Sequence, residues 1–335
     1  MNVPINYRFS IHGPAVAVGN SCPALDERIQ FFLRAFASTA QPKTLPARGE
    51  IRPFDLAEVT RSLAPATASE RQSDDLVDIY SLAERSWVLD DRWGMCEINL
   101  LKQRWQSWVL PRPALDSVRL AEAAVLWPMA QLLRLRGIEL IPAISVERAG
   151  WGALILCPYS ITGEISRLLR AGYRVIGQRW TALVPQHGRI VLRHVPGVVE
   201  SLDARNKLIG RETAWIDLTA QNPWSAAQLS SCDAVLVIAS GRRGTSCGRV
   251  VAPSESQALL RRHWPLAELP LNRSRVQPTI AALAAQSLCL SLQLSGHTDE
   301  FLQLIEFARH RSASKIQVSI RGALRRHFVP AARAG

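Results

Sequence analysis

Apolar and polar residues alternate at the start of the chain, and residues 5–18 predict two short strands around the His12-Gly-Pro14 turn. A helical period follows over residues 24–37, with Leu25, Ile29, Phe32 or Leu33 and Phe36 on one face. Over residues 42–71 the pattern dissolves into Pro, Thr, Ser and Ala, which predicts a linker or mobile loop. Alternation returns over residues 87–100, predicting a hairpin that turns near Asp91 to Gly94, with residues 104–110 as a strand beside it. Asp116 or Ser117 can cap a helix that runs to Arg136 and is ended by Gly137. An apolar run at 153–157 leads through a polar loop into a short helix at 165–171. Strand, hairpin and late core strand are then predicted at 173–180, 181–190 and 234–239. Runs of strands mixed with helices make this an α/β chain with a β-rich N-terminal part.

Composition narrows the picture. With 335 residues and 47% apolar content the chain can bury a substantial core and has room for two domains. No run of 18 apolar residues occurs; the longest candidate, 121–135, is interrupted by Glu122, Pro128, Gln131 and Arg134. The opening residues lack a charged segment followed by an apolar one, so no secretory signal is expected. Cys22, Cys96, Cys157, Cys232, Cys247 and Cys289 show no Cys-x-x-Cys spacing and read as reduced, buried thiols. A cytoplasmic location follows as the expectation. The net charge of +12 comes almost wholly from Arg, with Lys at 43, 102, 207 and 315 alone. That excess reads either as a trace of GC-rich coding or as a surface that meets anions.

The segment with most chemical content is the loop after the 153–157 run, Pro-Tyr-Ser-Ile-Thr-Gly-Glu-Ile-Ser from Pro158 to Ser166. It occupies the strand–loop–helix context that a phosphate-binding G-x-x-x-x-G-K-[ST] loop requires. Laid on that pattern, Pro158 replaces the first Gly and Gly163 keeps the second, with Ser160 inside the loop. Glu164 stands at the Lys and Ile165 at the metal-holding Ser/Thr, followed by Ser166. Such loops surround phosphate oxygens with backbone N–H groups and one Lys, while the hydroxyl holds Mg²⁺. A carboxylate at Glu164 would oppose the phosphates, and Ile165 offers no ligand.

The order of segments around the loop resembles the HPr kinase/phosphorylase-like P-loop proteins. Ser145-Val-Glu-Arg-Ala-Gly-Trp-Gly-Ala-Leu-Ile155 is similar to that family's Val-Glu-Arg-x-Gly-x-Gly-x-x-Leu-Leu strand pair. Beyond the loop come Gly172 and a strand that in the family ends in Ser-Asp-Asp, where Gln178 and Arg179 replace the Asp pair. His194-Val-Pro-Gly197 resembles the family's Pro-Gly segment. The resemblance implies an HPr kinase/PEP carboxykinase-like P-loop core with a mixed sheet over residues 73–308. Residues 1–72 would form a β-hairpin, helix and linker before it, and 309–335 a basic tail. It also implies a degenerate member, without cofactor or metal, acting as a protein- or peptide-binding regulatory module. The alternatives are an active ATP-dependent serine kinase of a small protein or peptide, and a protein that binds nucleic acid or an anionic membrane.

Other candidates are fewer. Gly241, Arg242, Arg243 and Gly244 lie in a Gly-rich segment after a predicted strand and could form a backbone nest for an anion. Asp90 and Asp91, before Arg92-Trp-Gly94, read as a turn rather than as catalytic acids. Trp87, Trp93, Trp105 and Trp108 read as cross-strand packing rather than as a base-stacking platform. After Glu306 the chain has no acidic residue, and Ile316, Ile320, Leu324 and Phe328 form an apolar stripe along a basic tail. That helix is expected to pack back on its domain, with membrane or nucleic-acid binding as its other outcome. No G-x-S-x-G or H-E-x-x-H occurs, which removes the commonest hydrolase and metalloprotease signatures.

Overall fold

The computed structural model describes residues 5–12, 14–22, 47–68, 70–74, 77–157, 162–195, 199–200, 215–216, 227–240, 247–264, 270–294 and 298–313. Two units emerge, one of Met1–Glu139 with Leu269–Asn272, the other of Leu140–Glu268 with Arg273–Gly335. The sequence placed the division at 72/73. It moves because one sheet runs straight across that point.

In the first unit that sheet has eight strands. They are β1 (Ile5–Ser10), β2 (Ala15–Asn20), β3 (Ala47–Pro53), β4 (Glu70–Asp74), β5 (Val77–Leu82), β6 (Arg85–Asp90), β7 (Gly94–Asn99) and β8 (Arg104–Val109). Their order is β1-β2-β3-β8-β7-β6-β5-β4. β3 is the keystone, parallel to β2 on one side and to β8 on the other. Sequence reading had put this stretch in a linker. Its Pro-rich flanks mask the alternation of buried Ala47 and Ile51 with exposed or half-buried neighbours. Helix α1 (Leu56–Leu63) follows at once, capped by Asp55, whose carboxylate accepts from the Glu58 N–H at 3.0 Å. The expected helix at 24–37 lies outside the described residues.

The tryptophans are core residues, as their alternation predicted. Trp87 and Trp108 pack with Val59, Ala66 and Met95. Trp105 is 1% exposed and donates its Nε1–H to the Ala124 carbonyl at 3.1 Å; the Ser107 hydroxyl joins it at 2.7 Å. Ala124 sits in a π-helical turn, Glu122–Leu126, between α2 (Ser117–Ala121) and α3 (Trp127–Arg134). A π turn disturbs the usual backbone ladder, and here side-chain donors fill in. Asp116 caps the run, accepting from Val118 and Arg119 N–H. Asp90 is part of the β6–β7 turn and is gripped by Arg92 through backbone and guanidinium. Burial pushes its carboxyl up, but those hydrogen bonds outweigh it and leave the group below the ordinary range. The turn reading of Asp90 stands.

The second unit holds the α/β core. A mixed six-stranded sheet contains β10 (Ile144–Arg148), β11 (Trp151–Leu156), β12 (Arg174–Gly177), β18 (Ala234–Ser240), β19 (Cys247–Val250) and β20 (Leu288–Leu294), in the order β12-β10-β11-β18-β20-β19. A four-stranded sheet orders β17 (Leu229–Ser231), β14 (Arg189–Arg193), β13 (Trp180–Gln186) and β9 (Glu139–Pro142). A short pair, β15 (Val199–Glu200) and β16 (Trp215–Ile216), completes the strands described. Both predicted hairpins are present, β10–β11 and β13–β14. The second turns on His187 and Gly188, both at positive φ (50° and 76°), as a tight two-residue hairpin requires.

Alternate residues of β11 and β18 face two apolar layers. Ala153, Ile155, Leu236 and Ile238 pack with α4 (Thr162–Arg170) and α7 (Thr298–Ala313) through Ile165, Leu168, Phe301 and Ile305. Leu154, Leu156, Val235 and Val237 pack toward the four-stranded sheet and α5 (Pro253–Arg262) and α6 (Pro270–Gln286), through Leu183, Leu192, Leu260 and Ile280. The end of α7 is clamped to the sheet. Arg148 and Tyr173 both donate to Glu306, at 2.6 and 2.9 Å, and the Trp151 Nε1–H donates to Ser312. The apolar stripe predicted at 316–328 lies outside the described residues.

One consequence can be measured in the first unit. A Cβ at Gly49 would enter the Trp105 indole ring, which its own hydrogen bond to Ala124 holds in place. Gly49→Ala should therefore destabilise by about 1–3 kcal/mol, the range of an overpacked core. A lowered melting temperature checks it.

Candidate binding edge of the six-stranded sheet

The strands that lead into three of the candidate segments end along one edge of the sheet. β11 is parallel to β18, and β18 is parallel to β20. β12 is antiparallel to β10, which is antiparallel to β11, so β12 runs with β11 as well. The carboxyl ends of all these strands lie along one edge. The loop leading to α4 leaves β11 there, Gln178 and Arg179 follow β12 there, and the segment holding Gly241, Arg242, Arg243 and Gly244 follows β18 there. Ligands of open α/β sheets are bound at such an edge. Pro158 and Ser160 lie outside the described residues, as do Gly241 to Gly244, so those parts of the expected site have only their place in the chain.

The described positions are informative. Gly163 and Glu164 fall in the first turn of α4, with Glu164 half-buried. Ile165 is fully buried, packed with Leu168, Val175 and Leu236 under the helix. A residue in that place holds α4 to the sheet rather than facing a ligand. Ser166 is half-buried, and its carbonyl accepts from Arg170.

Gln178 and Arg179 form the bend between β12 and β13. Gln178 is 1% exposed, Arg179 is half-buried. The bend is drawn tight against β10. A Cβ at Gly177 would strike the Trp180 carbonyl and lie 2.5 Å from the Thr181 hydroxyl. Thr181 in turn donates to the Ala143 carbonyl at 2.9 Å and meets the Ser145 hydroxyl at 2.9 Å. His194 places Nδ1 2.6 Å from the Ile176 carbonyl, and Gly177 bridges Val195, so the end of β14 is tied to the same bend. The last residue of β14, Arg193, was not singled out from the sequence. It is one arginine among many there, and its surroundings exist only once β13 and β17 flank it.

Among the described residues no group of three or more His, Cys, Asp or Glu side chains could hold a metal ion. Cys157, at the end of β11, is half-buried and free of any disulfide. Cys232 is buried, and burial pushes its thiol up to about 12, so it stays protonated and inert. Cys96 is raised to about 12 for the same reason. These thiols behave as the core residues their scatter implied.

No family model matches the chain, and no curated protein does. Among solved structures, one similar chain is the Hpr(Ser) kinase/phosphatase from Coxiella burnetii, at 9% identity and a TM-score of 0.33. The match covers 52% of this chain and 99% of that one. A likeness of that size assigns neither family nor activity. No helix among the described residues is long and apolar enough to cross a membrane.

Ile165 gives a direct test of this geometry. Ile165→Ser, which would restore the hydroxyl of a phosphate-binding loop, empties core volume and buries a polar group. It should cost about 3 kcal/mol or more of stability, read as a drop in the urea midpoint. An unchanged midpoint would mean that Ile165 does not seal the core.

Proposed function

We propose that the chain is a catalytically silent binding module whose partner is a protein or peptide. The observation that carries this reading is the burial of Ile165 in the core beneath α4, where a metal-holding hydroxyl would have to face a phosphate. Two further features support it. Gln178 is buried and Arg179 carries a positive charge, where phosphoryl transfer needs carboxylates for Mg²⁺ and for the accepting hydroxyl. Glu164 contributes a carboxylate to the first turn of α4, with the wrong sign to meet a γ-phosphate.

The residues present therefore do not fit a nucleotide with its Mg²⁺, and no chemical step is derived through one. What remains is a sheet edge with the half-buried Arg179 beside it, and this suits recognition. A nucleic-acid or membrane role would draw on the basic residues beyond Ala313, which lie outside the described residues.

The purified chain is expected to bind Mg-ATP negligibly in a calorimetric titration. Micromolar affinity would overturn the reading. The double substitution Glu164→Lys with Ile165→Ser should still transfer no phosphoryl group, because Gln178 and Arg179 supply neither metal ligand nor base. Transfer of label from γ-labelled ATP to any protein by that variant would count against the reading too.

A further inference from the structure

Arg193 differs from several other buried or half-buried arginines among the described residues. Arg85, Arg134, Arg148 and Arg249 each lie against a carboxylate. Arg193 is half-buried at the end of β14, its Nε is shut off from solvent, and that Nε donates to nothing. No ion pair among the described residues includes it. A guanidinium keeps its charge under burial, so it cannot escape the cost by losing a proton. A buried donor without an acceptor calls for an explanation, and a ligand that supplies the acceptor is one.

The neighbours say what kind of ligand. Arg193 pairs with Ala182 on β13 and with Leu229 on β17. Residues directly opposite in a sheet share a face, so Leu229, Arg193 and Ala182 form a row across three strands. Leu229 is 45% exposed, which places an accessible apolar side chain beside the unmatched cation. His194, bonded to the Ile176 carbonyl at 2.6 Å, fixes the strand end from which Arg193 projects.

We propose that Arg193 anchors a peptide-recognition site. It takes an oxyanion, the carboxylate or phosphate of a partner side chain, while Leu229 takes the apolar residue next to it. Arg179, at the bend before β13, adds positive potential to the approach. This rests on the binding-module reading and gives it a partner chemistry. A nucleic acid fits the row less well, because backbone tracking needs several cations and stacking needs exposed aromatic rings. This row offers one cation and one accessible aliphatic side chain, Leu229, since Ala182 is buried.

The test uses the full chain and short dye-labelled peptides with a central phosphoserine, glutamate or serine between leucines. Dye-labelled single-stranded DNA is added as a fourth probe, and binding is read by anisotropy. The phosphoserine or the glutamate peptide should bind, more weakly as salt rises, and the serine peptide should not; whichever binds names the source of the anion. Arg193→Met should lose at least about tenfold in affinity, since hydrogen bonds to charged groups are among the strong ones. Arg193→Lys should fall between, keeping the charge without the fork. Because Arg193 satisfies no other group, Arg193→Met should melt at or above the parent temperature, so lost binding cannot be blamed on unfolding. The proposal is overturned if no peptide binds, if the serine peptide binds as well as the charged ones, or if Arg193→Met binds them undiminished. DNA binding that depends on Arg193 while the peptides fail would also overturn it. Undiminished peptide binding by Arg193→Met would sink this site but leave the binding-module reading standing, whereas tight Mg-ATP binding would sink that reading itself.

Discussion

The second unit depends on the parallel pairing of β11, β18 and β20. Parallel neighbours cannot be joined by a tight turn, so each connection must cross a face of the sheet before returning. The crossings supply covering layers, and the strands must then be apolar on both faces, as the residues of β11 and β18 are. The same requirement sends every outgoing loop to one edge. The strands that lead into the candidate segments end there because of this pairing, whatever the sequences of those segments are. Chemistry at this edge is written on a frame that is fixed before any binding residue is chosen.

Much of that frame can be read from the chain. The hairpin β13–β14 announces itself by a Gly turn between two strand-like runs and β18 by an unbroken apolar run, while β10–β11 is read from its resemblance to a family's strand pair. β3 was not legible. It is parallel to both its neighbours, and its partner β8 lies far along the chain, so no local turn signal marks it. Its Pro-rich flanks made the stretch look like a linker, and the domain boundary was misplaced with it. Long-range pairing decides this, and a window of residues does not contain it.

The candidate site divides along a similar line. Laying the loop on a motif gave Glu164 and Ile165 their places in the pattern, but a motif assigns positions, not burial. The spacing of Ile165 and Leu168 already hinted at the answer, because residues three apart share a helix face. Both are fully buried. Arg193 left no such signal, since whether an arginine is matched depends on which carboxylates the fold brings near.

Those carboxylates are distributed unevenly, and this shapes what the edge can bind. At the opposite edge of the same sheet, Glu147 holds Arg174, Glu306 holds Arg148, and Asp233 accepts from Ser231 and the Gly152 N–H. In the first unit Glu97 holds Arg85 and Glu139 holds Arg134. A buried charge is tolerated when an opposite charge and hydrogen bonds replace the lost water, and removing one partner is far costlier than never having had the pair. Within the second unit, the acids held in these structural pairs sit away from the edge where the outgoing loops begin. With a chain charge of +12, basic residues outnumber acidic ones over the whole sequence. The proposed anionic ligand of Arg193 would bring the negative charge that this guanidinium lacks. The charge excess and the unmatched Nε of Arg193 then point the same way, toward the anionic ligand proposed above.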